Sequence, residues 1–114
     1  MVKEINIELY NKKFTLIIGD NNYWIKHLRK KGVSKKECKW LDNEEPLGAC
    51  MYTKKSGMFM LLRKNSDINT VSHECLHMCA RIMDSSDINL NYDTEEAYAY
   101  LLGFLTKKVY DTLI

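Results

Sequence analysis

Apolar and polar residues alternate from Val2 to Tyr10, with Val2, Ile5, Ile7 and Leu9 set against Lys3, Glu4, Asn6 and Glu8. A period of two marks a half-buried strand, because successive side chains point to opposite faces. The pattern has one irregularity near Glu4. Asn11-Lys12-Lys13 is a turn candidate, and Phe14-Thr15-Leu16-Ile17-Ile18 reads as a second strand, which makes the pair a hairpin. Gly19-Asp20-Asn21 breaks that strand and offers helix N-caps. Tyr23, Trp24, Ile25 and Leu28 then share one turn-spaced apolar face, and Arg29-Lys30-Lys31-Gly32 is a helix stop. Val33 to Leu47 is polar, holds the only proline, Pro46, and reads as a loop with at most a short turn.

Ala49 to Thr53 and Gly57 to Arg63 are two further strands, joined through Lys54-Lys55-Ser56-Gly57. Asn65-Ser66-Asp67 is a cap cluster, so a helix is predicted from there to Met83, ended by Asp84-Ser85-Ser86-Asp87. A loop over Asn91 to Asp93 leads into a last helix from about Thr94 to Leu113. The order ββαββαα predicts one α+β domain over residues 1–114. Its sheet is short and mostly antiparallel, with the two long helices packed on it.

Composition narrows the classes. Hydrophobic residues make up 46% and charged residues 28%, which suits a soluble globular domain rather than a disordered chain. The net charge of +2 is too small to imply a nucleic-acid or membrane partner. The pairs Lys12-Lys13, Lys30-Lys31, Lys35-Lys36, Lys54-Lys55 and Lys107-Lys108 are scattered along the chain and offset by acids, so they read as a solvated surface. No apolar run spans a bilayer, and the acids in the first eight residues do not fit a signal peptide. A cytoplasmic location is therefore expected. There Cys38, Cys50, Cys75 and Cys79 stay reduced, and their spacing is not that of a zinc ribbon.

His73-Glu74-Cys75-Leu76-His77 is a His-Glu-x-x-His pattern inside the predicted helix. Residues four apart stand one turn above each other, so both imidazoles can reach one ion. Glu74 stands about 100° around the helix from His73, where it can act on water without taking a ligand position. On the wheel, Ile68, Val71, Cys75, Leu76, Cys79, Ile82 and Met83 form an apolar face with the two histidines at its margin. Cys75 and Cys79 share that apolar face and read as buried thiols rather than ligands. Chance produces such a motif in roughly one chain in a few hundred of this length. The bland alternative is two exposed histidines on an amphipathic helix.

A catalytic zinc site takes three protein ligands and keeps one position open, so a third ligand is expected elsewhere. Glu95 and Glu96 open the last helix. With Ala99, Leu102, Leu105, Thr106, Val109 and Leu113 as its apolar face, Glu96 lies at the margin and Glu95 points about 100° away, towards solvent. The competing role for Glu96 is a capping box with Asp93 as N-cap. An oxyanion donor is also expected, with Tyr92, Tyr98, Tyr100 and His27 as candidates. Tyr100 is preferred because it shares the sector of Glu96. Trp24 reads as core, Trp40 as loop packing, and Met58 and Met60 as sheet residues.

His73-Glu74-Cys75-Leu76-His77, followed by Glu96-Ala97-Tyr98-Ala99-Tyr100, resembles the gluzincins, and more narrowly the short metallopeptidase-like proteins of phages and prophages. The similarity extends loosely over most of the chain: Phe14 to Asp20 with the helix after it, Met58 to Leu62, and Leu101-Leu102-Gly103. Only the two metal motifs are specific. The resemblance implies zinc held by His73, His77 and Glu96, Glu74 as general base, a peptide or protein substrate, and a bacterial host cytoplasm. It also implies an edge strand, expected at Gly57–Arg63, that holds an extended peptide by strand addition. Larger gluzincins have a second subdomain forming the far wall of the cleft, and this chain has none, which counts against cleavage of folded proteins. The reading that follows is a small zinc metallopeptidase. Its rivals are a catalytically silent zinc-stabilised module that grips a host or phage protein, and a metal-free scaffold with incidental histidines.

Overall fold

A computed structural model describes residues 1–114. Strand β1 (Val2–Ile7) and strand β2 (Lys12–Ile18) form the expected hairpin, joined by a 3-10 turn over Glu8–Tyr10 and by Asn11 in the left-handed region at φ 52°. That turn throws Leu9 into solvent, although the alternation placed it on the buried face. Helix α1 (Asn21–Lys30) is capped by Asp20, whose Oδ1 accepts from the Tyr23 amide at 2.8 Å. Its stop is Gly32 at φ +96°, a conformation that costs a residue without Cβ little.

The stretch expected to be a loop contains a short helix, α2 (Lys35–Cys38), and a 3-10 turn over Lys39–Asp42. Ser34 and Glu37 form a reciprocal capping box there, and Cys38 and Leu41 are buried. Strands β3 (Gly48–Thr53) and β4 (Gly57–Leu62) follow, then α3 (Ile68–Ser85) and α4 (Glu95–Leu113). No helix is long and apolar enough to cross a membrane.

The sheet order is β1-β2-β4-β3, with β2 and β4 parallel and the other two pairings antiparallel. This corrects the edge assignment: Gly57–Arg63 lies inside the sheet, and the edge beside α3 is β3. The cause is visible in the residues. Phe59-Met60-Leu61-Leu62 is apolar without alternation because both faces of β4 are covered. Met60 and Leu62 join Leu16 and Ile18 under α3 and α4, whereas Phe59 and Leu61 join Ile17 under α1 and α2. The molecule is therefore three layers, helices on both faces of one sheet.

Arg63, just past β4, ties the approach to the edge strand. Its guanidinium lies 3.7 Å over the Trp24 ring and donates to Pro46 O at 2.7 Å and Asn21 Oδ1 at 2.7 Å. The segment leading into Gly48 is thereby held against α1.

Candidate metal centre

Helix α3 starts at Asp67, whose Oδ1 accepts from the Thr70 amide at 2.9 Å. Val71, Cys75, Met78, Cys79, Ile82 and Met83 face the core. The opposite side of the helix carries His73 and His77, both exposed, and continues through Ala80, Arg81 and Asp84. The two imidazoles converge, with Nε2 to Nε2 at 3.2 Å and their rings edge to face. Two nitrogens bound to one tetrahedral zinc at 2.0–2.1 Å stand about 3.3 Å apart. The histidine pair thus already spans one edge of such a site.

Glu74 departs from the ordinary behaviour of a surface acid. It is only 6% exposed, and its Oε2 stands 4.0 Å from His73 Nε2. It accepts no hydrogen bond from the protein, yet no buried side-chain oxygen is left without a partner, so its carboxylate opens on the cleft. Gly48 makes room for it. A Cβ there would stand 3.1 Å from Glu74 Cγ, 3.1 Å from Leu62 Cδ2 and 3.2 Å from the Leu61 carbonyl. Substituting Gly48→Ala is expected to cost about 1–2 kcal/mol of stability through overpacking. It should also shift the Glu74 carboxylate away from the two imidazoles while leaving the histidine pair in place. Thermal melts and metal analysis of the variant check this.

A cavity of about 650 Å³ holds His73, Glu74 and His77 and is walled by Gly48, Ala49 and Cys50 of β3 and by Asn89, Leu90 and Tyr98. A smaller one of about 390 Å³ adjoins it at Gly48, His73 and Glu74 and reaches Leu47, Asn69 and Thr70. Together they form a groove between the edge strand and α3. Cys50 Sγ donates to the Glu74 carbonyl at 3.2 Å, and burial, then the Glu74 charge, pushes its thiol far above the usual range. Burial likewise pushes Cys75 and Cys79 up to about 11, so these remain neutral thiols at pH 7. None of the four cysteines is bonded to another.

The last helix is rotated from its expected setting. Leu101, Leu105 and Val109 are its buried line, flanked by Tyr98 and Leu102, while Ala99 is exposed. The buried stripe turns by roughly 60° relative to the sequence-based wheel. Glu96 consequently faces solvent, and no cluster of three His, Cys, Asp or Glu side chains able to hold a metal is assembled. Glu95 is exposed as well and lines neither of the two cavities at the histidines. The Asp93 capping box does not form either. Thr94 is the N-cap, and Asn91 Oδ1 accepts from the Asp93 and Thr94 amides at 2.9 and 3.1 Å.

Tyr100 is corrected by the same rotation. It lines a separate apolar groove with Ile7, Leu9, Tyr10 and Phe104, on the other flank of α4 and away from the histidines. Of the four oxyanion candidates only Tyr98 reaches the cleft, and its hydroxyl donates to the Ile88 carbonyl at 2.6 Å. Tyr92 is almost wholly exposed, and His27 sits on α1, across the sheet. Gly48, Arg81, Asp84 and Asn89 also line the cleft without having been singled out in the sequence. For Arg81 and Asp84 a signal existed, since they continue the His73-His77 stripe at helical spacing. For Gly48 and Asn89 there was none.

Comparison with protein-family profiles, with curated proteins and with solved structures yields no match to this chain.

Proposed function

We propose that the chain is a minimal zinc-dependent hydrolase of the gluzincin type, acting on extended peptides. The observation that carries this reading is the convergence of the His73 and His77 Nε2 atoms at 3.2 Å, one edge of a tetrahedral site, with the buried Glu74 carboxylate beside them. His73 and His77 would hold the ion, and the carboxylates opening α4 would supply the third ligand. Zinc bound there would polarise the substrate carbonyl and make water acidic enough to lose a proton near neutral pH. Glu74 would serve as the general base, accepting a proton from that water and returning it to the leaving amine. The β3 edge offers unpaired backbone groups along the groove, so an extended peptide can add as a further strand and lie across Glu74.

Elemental mass spectrometry of the wild type beside His77→Ala, Glu95→Gln and Glu96→Gln tests the site. Near-stoichiometric zinc in the wild type, lost in His77→Ala and weakened in one glutamine variant, supports the reading and names the third ligand. Glu96 is the ligand the motif resemblance implies, and Glu95 precedes it in the first turn of α4. No zinc after dialysis against excess metal would sink it. A second reading is a zinc-stabilised binding module without turnover, which rests on the same groove along the β3 edge. It predicts zinc binding, peptide capture along β3 and no cleavage across a broad peptide library.

A further inference from the structure

Lysine pairs that look scattered along the chain are neighbours in space. Lys30-Lys31 ends α1, Lys35-Lys36 opens α2, and Lys54-Lys55 forms the β3–β4 turn. A Cβ on Gly32, between the first two pairs, would stand 3.2 Å from Ser56 Oγ, next to the third. The Glu37 carboxyl is held below its usual range first by Ser34 hydrogen bonds and, more weakly, by Lys55 across the gap. Val33 and Cys38 pack with Leu28 in one cluster, which fixes α1, α2 and their linker as one surface.

The charge on that surface is lopsided. Residues 26–39 with the 53–56 turn carry nine cationic side chains and one acid, Glu37, so this surface alone is +8 while the whole chain is +2. The rest of the chain is therefore −6. All nine cations are exposed, and none forms an ion pair. Glu37 is engaged by Ser34, which donates from its amide and hydroxyl at 3.2 and 2.8 Å. Nine exposed cations held together repel one another at low ionic strength, and a polyanion relieves that repulsion.

We propose that this surface binds the phosphate backbone of nucleic acid without reading its sequence. Eight of its nine cations are lysines. Lysine is a hydrated point charge suited to phosphate contact, whereas protein interfaces deplete lysine and are anchored by aromatic residues and arginine. Trp40, next to Lys39, is partly exposed and Tyr52 lies under Arg81 on the α3 side, but no large exposed apolar side chain lies within residues 26–39 or 53–56, so the surface has no apolar face of the size a lipid surface needs. The patch lies on the α1 and α2 face of the sheet, and the histidine pair lies on the α3 face. Bound nucleic acid leaves the metal cleft open, and this binding does not depend on the hydrolase reading.

Fluorescence anisotropy with a labelled duplex of about 20 base pairs and a labelled single strand of the same length, at about 50 to 200 mM salt, tests the proposal. Binding is expected at low salt, with log affinity falling linearly in log salt at a slope of about −3 to −5. The slope should shrink by about one for each phosphate-contacting lysine removed. The variant Lys30→Gln/Lys31→Gln/Lys35→Gln/Lys36→Gln should lose at least tenfold in affinity, and Lys54→Gln/Lys55→Gln should lose affinity in the same direction. Lys107→Gln/Lys108→Gln, on α4, should match the wild type. Absent binding at the lowest salt, or equal loss in the α4 variant, overturns the proposal. So does sedimentation with phosphatidylserine vesicles, or capture of an acidic peptide, by a protein that leaves both nucleic acids free.

Discussion

Glu74→Gln is expected to keep zinc at the wild-type level and to lower peptide hydrolysis by about 10²- to 10⁴-fold, the usual worth of a general base. The amide is nearly the size of the carboxylate, so it fits the space that Gly48 leaves beside Glu74 Cγ. It cannot accept a proton from water. Glu74 stands about 100° around α3 from His73, with its Oε2 4.0 Å from His73 Nε2 but outside the ligand set, so losing its charge leaves the ligands in place. Zinc content by elemental analysis and turnover of fluorogenic peptides measure the two halves separately. Hydrolysis at the wild-type rate would remove Glu74 from the mechanism.

Zinc itself should raise the midpoint of thermal unfolding by roughly 10 °C when present at a hundredfold its dissociation constant. Binding to the native state alone contributes about 2.7 kcal/mol under that condition, and each kcal/mol moves the midpoint of a domain this size by about 4 °C. His77→Ala is expected to abolish the response while barely moving the metal-free midpoint. His77 is exposed, and in the folded chain it contacts mainly His73, so its removal opens no cavity. Differential scanning fluorimetry with and without a chelator reads both. A midpoint indifferent to chelator in the wild type would leave a metal-free scaffold with incidental histidines.

Much of the fold and part of the candidate site were legible in the residues. The two hairpins, the helix after Asp20 and the two long helices follow from periodicity and caps, and the structure bears out the α+β order. The capping box in α2 was equally present in Ser34 and Glu37, but it was masked by the polar composition of 33–47. The uninterrupted apolar run in β4 was itself the sign of an interior strand, and reading it as an edge neglected the fact that only a strand covered on both faces can afford such a run.

His73, Glu74 and His77 were fixed by chain order, because helical spacing at i and i+4 is local and needs no partner to bring the imidazoles together. The third ligand, the oxyanion donor and the charged surface are a different matter. Glu96 and Tyr100 turn away from the cleft because the stripe Leu101-Leu105-Val109 found the core first, a choice set by how α4 packs on α3 and the sheet. The space for Glu74 exists because β3 crosses it at a residue without a Cβ, and the lysine pairs meet because a β-turn closes on the linker after α1. Local spacing determined the elements and the histidine pair; packing decided which neighbours each element acquired, since contacts between distant segments depend on the shapes buried between them.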